Sequence, residues 1–244
     1  MFLRNHVPGE NQKPCSNNTV MKHIERLRKI ISMAVRFEWI KSDPFMKFQP
    51  KFIKKERGFL TETELAIIEN KAIFNESLKT VRNLFIFSCY TGLAFTDAYN
   101  LKAEDMSRGI DGEMWLTVNR QKTNIKAQIP LLPKASQIIE KYKTHPKAKD
   151  HGTLLPMLSN QRFNSYLKEI ADITNINKNL THHLARHTFV TTVCLLNGIS
   201  MEATSSMLRH ASMRTTQTYC KILPKHISFE MAILKEKIFN QKNQ

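Results

Sequence analysis

Two stretches near the end of the chain carry side-chain types that phosphate chemistry uses. In "THHLARHTFVTT" (Thr181 to Thr192), His183 precedes Arg186 by three residues. On a helix that spacing puts an imidazole and a guanidinium on one face. In "LRHASMRTTQTYC" (Leu208 to Cys220), His210 precedes Tyr219 by nine residues. A phenol with an ordinary pKa near ~10 attacks only when a base or a neighbouring cation helps remove its proton. Alone, Tyr219 reads as a packed or exposed aromatic, and a histidine near an arginine reads as structural. Lys122, in "QKTN", changes the weighing, because it falls at the tip of a predicted β-turn. From there a long cation reaches into a cleft. Lysine, His-x-x-Arg, histidine and tyrosine, in this order in one basic chain, are far more specific than any part. His183 and His187 also have the i, i+4 spacing of zinc ligands. However, Leu, Ala and Arg separate them, no glutamate stands where an HExxH base would, and the arginine would repel the ion. A metal site is not expected.

These residues need elements to hold them. From about Thr19 to Trp39, Val20, Ile24, Leu27, Ile31 and Ala34 form one apolar stripe at helical spacing. Lys22, Arg26 and Lys29 form a second stripe, which is either a solvated charged face or a DNA-contacting one. One helix with one apolar stripe must pack on something else. "KSDPFMKFQPKFIKKERG" (Lys41 to Gly58) holds two prolines and six Lys/Arg residues. It reads as an extended basic linker, either a plain connector or one that tracks phosphates through Lys51, Lys54 and Lys55. Thr61, three residues before Glu64, is a capping box that opens a new domain. Helices are predicted over about Ser77–Tyr90, Thr96–Asn100, Lys134–Lys143, Asn160–Thr174, His183–Asn197, Met201–Leu208 and Thr215–Cys220. A last one, about His226 to Asn240, carries Ile227, Met231, Leu234 and Ile238 as an apolar stripe. It is expected to fold back or dock on a neighbouring molecule. Between them, "EMWLTVNRQKTNIKAQIPLL" alternates and predicts two strands around the "QKTN" turn. The expected fold class is mainly α with a small antiparallel β-hairpin or sheet (α+β). Residues 1–17 read as an irregular lead-in.

Composition narrows the partner. Lys and Arg number 37 against 21 Asp and Glu, a formal charge of +16. The excess runs from end to end, which favours a polyanion, with nucleic acid ahead of an anionic membrane. With 41% hydrophobic residues a sizeable core is expected, and only seven glycines suit a helix-rich chain. "NLFIFSCY" (Asn83 to Tyr90) is the longest apolar stretch and is far short of the ~20 residues a membrane span needs. The opening residues lack an apolar run, so a secretory signal is not expected. Cys15, Cys89, Cys194 and Cys220 form no CxxC pair and are read as reduced thiols of a cytoplasmic protein.

Taken together, the motifs resemble the tyrosine recombinases, the integrases of phages and conjugative transposons. The resemblance covers most of Phe59 to about Leu223. "YTGLAFTDAYNLKAEDM" is similar to the family's first motif region, and "LTVNRQKTN…IPLL" to its lysine-bearing hairpin. "THHLARHTFVT" is similar to its His-x-x-Arg motif, and "MLRHASMRTTQTYCKI" to its last motif, a histidine and then the nucleophilic tyrosine. Residues 18–45 resemble the last helix of the family's core-binding domain. The helices that usually precede it are mostly absent from this sequence. The implied organisation is a partial DNA-binding domain over 1–45, a basic linker over 46–58, and a catalytic domain over 59–244 with a C-terminal helix from about 226.

The resemblance implies a site-specific recombinase that cuts DNA without hydrolysis, inserting or excising a mobile element. The Tyr219 oxygen would attack the scissile phosphate and form a 3′-phosphotyrosine bond. That bond keeps the energy of the one broken, so no cofactor is implied. Arg186 would hold the non-bridging oxygens of the transition state with two donors. Lys122 would protonate the leaving 5′-oxygen. His183 and His210 would donate to phosphate oxygens or help move protons, and Asp97 would orient the site. One departure stands out. The family's first catalytic arginine usually follows "TGL", where this chain has Ala94. Losing one such donor costs roughly 10²–10³ in rate. Arg209 and Arg120 are candidate substitutes, whereas Arg82 reads as a surface residue. The partners implied are double-stranded DNA and other copies, joined through the C-terminal helix in a synaptic dimer or tetramer. The place implied is the nucleoid. Two alternatives remain: a weak or inactive DNA-binding member of the same fold, and a topoisomerase of type IB character.

Overall fold

The computed structural model describes residues 2–7, 9, 13–53, 58–119, 126–208, 228, 231, 232, 235, 238 and 239. Expectations for Lys54, Lys55, Arg120, Lys122, Arg209, His210, Tyr219, Cys220 and the helix over 215–220 lie outside them. The chain divides into two compact units, residues 1–56 and 57–244.

In the first unit, a short helix α1 (Phe2–Asn5) stands in the lead-in read as irregular, and α2 (Asn17–Arg36) follows. Ser16 caps α2 by accepting from the Thr19 amide. The helix stops three residues before Trp39, where Glu38 takes a left-handed φ of 57° and Phe37 stacks on Trp39. The predicted apolar stripe is poorly covered. Val20 is buried, but Leu27 is 43% exposed, since among the described residues of this unit few apolar side chains pack on it. The segment read as extended linker returns along α2. Asn17 donates to the Lys51 carbonyl, and Asn18 donates to the Ile53 carbonyl and accepts from the Ile53 amide. Arg28 donates to the Phe48 carbonyl and pairs with Asp43.

The second unit is built around one buried helix. Its helices are α3 (Glu62–Asn70), α4 (Glu76–Thr91), α5 (Phe95–Tyr99), α6 (Pro133–Tyr142), α7 (Pro146–Asp150), α8 (Asn160–Ile173), α9 (His182–Thr188) and α10 (Met201–Leu208). Thr61 and Glu64 form the expected capping box at α3. From Val81 to Thr91 every residue of α4 is buried except half-buried Arg82 and Tyr90. A helix apolar all round belongs in a core, and α3, α6, α8 and α9 pack on α4. Strands β1 (Met106–Arg108), β2 (Met114–Asn119) and β3 (Lys126–Pro130) form an antiparallel sheet in the order β1-β2-β3. The two predicted strands pair, with Leu116 opposite Ile129 and Asn119 opposite Lys126, while the predicted "QKTN" turn lies outside the described residues. Strand β1 was not expected, since three residues are too few to show alternation.

The predicted helix over 183–197 changes pitch. Helix α9 passes into a π turn over Phe189–Cys194 and a 3₁₀ turn over Leu195–Asn197. π turns interrupt α-helices often at functional sites. The segment is fastened to the start of this unit. The Leu60 amide donates to Thr188 Oγ1, and the Thr192 hydroxyl donates to the Leu60 carbonyl. Of the predicted last helix, Ser228, Met231, Ala232, Lys235, Ile238 and Phe239 are described, and all are helical.

Candidate active site

Thr181 starts α9 by accepting from the Leu184 amide at 3.1 Å. The following turn lays His182, Ala185, Arg186 and Phe189 on the buried side and leaves His183 exposed. Arg186 is only 6% exposed. Its Nη1 donates to the Gly92 carbonyl, and its Nη2 donates to the Leu208 carbonyl at 3.1 Å. Gly92 caps the C-terminus of α4, and Leu208 is the last residue of α10. The guanidinium thus bridges two helix C-termini, where partial negative charge collects and a cation is favoured. It is also the planar two-pronged donor that phosphate oxygens fit.

Gly92 is required where it stands. Its φ is +63°, and a Cβ there would come within 2.4 Å of Phe189 and 2.8 Å of Leu208. Two residues on, half-buried Ala94 is the N-cap of α5 and offers no side-chain cap. Asp97 lies one turn into α5 and is buried, with the Thr96 hydroxyl at 3.5 Å from its Oδ1. The "TGLA" loop, Arg186 and the end of α10 therefore meet. The stretch bearing His210 and Tyr219 continues from Leu208, whose carbonyl Arg186 holds. The interval containing Lys122 is bracketed by the paired residues Asn119 and Lys126.

His183 packs edge-on against His187, with ring centroids 4.4 Å apart. Among the described residues, no group of three or more His, Cys, Asp or Glu is placed to hold a metal ion. Arg82 is no substitute for an arginine at position 94. Its donors go to the Lys71 carbonyl and to Asn83, and it lies nine residues before Thr91, roughly 13 Å along the helix axis. Burial, and then Glu69, push the Tyr90 phenol well above its ordinary value, the wrong direction for a nucleophile. Burial also pushes the Cys194 thiol up to about 12 and the Cys89 thiol well above its usual range. Cys15, Cys89 and Cys194 are free thiols.

Sequence reasoning missed His182. It is buried, its Nε2 lies 2.8 Å from Ser88 Oγ, and it sits edge-on to Phe95. Burial, then Arg186 and His183, lower its pKa to about 4, so the ring is neutral. The signal was available: position 182 precedes Ala185 and Phe189 by three and seven residues, the period of the buried face.

In the first unit, Lys22, Arg26, Lys29 and Lys51 are exposed. Lys22 pairs with Glu25 at 2.6 Å and lies over the Phe52 ring. Glu25, Arg28, Lys29, Ser32, Met33, Arg36 and Pro50 line an open hollow of about 630 Å³, with three basic side chains against one acidic. Among the described residues, no helix is long and apolar enough to cross a membrane.

Comparison with known proteins places this arrangement. Residues 59–226 match the phage integrase family, and residues 1–54 match the phage integrase SAM-like domain. The chain belongs to the phage integrase family. By that membership it is a tyrosine recombinase, of the class that breaks and rejoins DNA. It is 24% identical over 238 residues to the tyrosine recombinase XerC of Halalkalibacterium halodurans, covering 91% of this chain and 77% of that protein. The XerA recombinase structure superposes with a TM-score of 0.55 at 22% identity, covering 74% of this chain and 66% of that one. This chain therefore spans just under two thirds of XerA. The Tn1549 transposon integrase, solved in complex with a circular intermediate DNA, gives a TM-score of 0.64 at 16% identity, covering 90% of this chain and 80% of that one. These likenesses agree on a mainly helical fold with a small antiparallel sheet.

Proposed function

We propose that the protein is a site-specific DNA recombinase that cleaves and rejoins duplex DNA through a 3′-phosphotyrosine on Tyr219, moving a mobile element. The observation that carries the reading is the Arg186 fork, held between the Gly92 and Leu208 carbonyls. A buried guanidinium fixed beside the chain that leads into His210 and Tyr219 suits a pentacoordinate phosphorane, whose charge gathers on oxygens that accept from two prongs. In this reading Lys122 protonates the leaving 5′-oxygen, His183 and His210 attend the phosphate, and Asp97 orients α5. Arg209 or Arg120 supplies the cation that Ala94 does not. Residues 1–45 are the DNA-gripping piece, 46–58 the basic linker and 59–244 the catalytic part.

The partner is duplex DNA, gripped in part by Lys22, Arg26, Lys29, Lys51, Lys54 and Lys55. The XerC, XerA and Tn1549 likenesses support this, as does the charge of +16. Copies associate through the C-terminal helix, whose Met231, Ile238 and Phe239 are 46%, 48% and 68% exposed. The work is done on nucleoid DNA in the cytoplasm. A second reading, a DNA-binding member that does not cleave, draws on Ala94, which cannot donate to a phosphate.

The test is a nicked suicide duplex. The recombinase reading expects a covalent protein–DNA adduct that disappears in Tyr219→Phe. Normal binding with no adduct from the unaltered chain would select the second reading. Strand exchange between two duplexes would separate recombination from relaxation by a lone copy.

A further inference from the structure

We propose that His182 is a positioning residue for the cleavage step: it sets the rotation of α9, and with it the direction in which Arg186 and His183 face the Gly92–Ala94 loop. This rests on the recombinase reading above. Two bonds tie α9 to α4. His182 Nε2 meets Ser88 Oγ at 2.8 Å, and Arg186 Nη1 donates to the Gly92 carbonyl. The partners are four residues apart on both helices, 182 to 186 and 88 to 92, so the bonds are rungs one turn apart. The far end of α9 is held separately, through Thr188 to Leu60 and Arg186 to Leu208. Two rungs fix both its rotation and its height along α4.

The rest of the His182 environment points the same way. Its ring lies 5.4 Å from Phe95 at 87° and 5.9 Å from Phe163 at 52°. Phe95 follows Ala94 directly and opens α5, which carries Asp97, while Phe163 belongs to α8. One side chain thus registers α9 against α4, α5 and α8. Packing alone does not call for a histidine. A buried polar ring costs free energy unless its hydrogen bond is made, and an aromatic hydrocarbon would fill the same space. The Ser88 hydroxyl also donates to the Leu84 carbonyl, which fixes the direction of its oxygen toward His182. Burial keeps the ring neutral, so it adds no second positive charge beside Arg186. The contact matters more because Ala94 gives the loop no phosphate donor of its own.

The test is single-turnover adduct formation on the nicked duplex at saturating protein, beside a binding titration and a thermal melt. His182→Phe keeps the volume and drops the bond. Ser88→Ala removes only the hydroxyl and carries the test if His182→Phe does not fold. His182→Gln places an amide nitrogen near the Nε2 position. His182→Phe and Ser88→Ala are expected to bind DNA within about twofold of the unaltered chain while cleaving roughly 10- to 100-fold more slowly. The double variant should be no slower than the slower single one, and His182→Gln should recover most of the rate. Unchanged cleavage in folded Ser88→Ala and His182→Phe would overturn the proposal. So would affinity and rate falling together in step with the folded fraction. No adduct from the unaltered chain would instead sink the recombinase reading, and this inference with it.

Discussion

Among the described residues of 1–56, Val20 and Met21 are the buried hydrophobics, whereas in 57–244 the single helix α4 buries Val81, Leu84, Phe85, Ile86, Phe87 and Cys89. The first unit is held by side chains bonding to backbone: Asn17 to Lys51, Asn18 to Ile53, Arg28 to Phe48. The second is held by a close-packed core in which polar groups such as Ser88, His182 and Arg186 are buried with partners. Close packing resists small displacements, because each shift forfeits many contacts at once. A surface that grips a polyanion needs charge and reach. A site that aligns a phosphate needs a fixed direction. The difference in packing between the two units is what the proposed division into a DNA-gripping part and a cleaving part would need.

The sharpest way to break this contrast is to empty a matching position in each unit. Phe85→Ala in α4 should cost about 3–5 kcal/mol, whereas Ile30→Ala, at an exposed position of α2, should fall within about 0.5 kcal/mol. Urea unfolding followed by helical signal checks both. Equal losses would mean that α2 is buried in solution by a surface not described here. Next in size is Arg186→Ala. Its adduct yield on the nicked duplex should fall roughly 10²- to 10³-fold in rate, and unchanged cleavage would move the transition-state cation elsewhere.

Acid should act on the second unit through His182. Its folded pKa of about 4 lies below the ordinary 6.5. As pH falls, the unfolded chain therefore takes the proton first. The stability linked to this ring is whole above about pH 6.5 and is lost as pH falls toward 4, on the order of 1–3 kcal/mol. Thermal melts between pH 7 and 4.5 should show that slope, and His182→Phe should lack its His182 component. The smallest effect belongs to the first unit. If the protein touches ~8 phosphates, the log–log dependence of binding on salt has a slope near −7, and Lys29→Ala should reduce its size by about one. A slope unchanged in Lys29→Ala would take that lysine off the DNA path, and a flat salt response would remove nucleic acid altogether.

Much of this was legible from residue order. The Thr61–Glu64 box, the α4 core and the hairpin all follow from local patterns, which bonds within a few residues can satisfy. What stayed hidden depended on distant partners. The turn over Phe189–Cys194 is π rather than α, and within it Phe189 packs beside Gly92 and Thr192 reaches Leu60, residues roughly a hundred or more positions away. No local period records that. The apolar stripe of α2 was read correctly as a stripe, yet whether it is covered depends on what else is present. At the candidate site, Arg186 and His183 were singled out by their spacing together with the lysine, histidine and tyrosine motifs. His182 was passed over because its partner, Ser88, stands ninety-four residues away.

Leu60 has one more consequence. Its amide and carbonyl are both taken by hydroxyls of the segment that begins at Thr188, the last residue of the helix bearing Arg186. The first residues of the second unit are therefore tied directly to that helix. Leu60 is itself fully buried, and one residue earlier the Phe59 carbonyl accepts from Lys178 Nζ at 2.9 Å, so the start of the unit is anchored at two successive residues. A displacement of the backbone at Leu60 would therefore be felt first by the helix that carries the guanidinium.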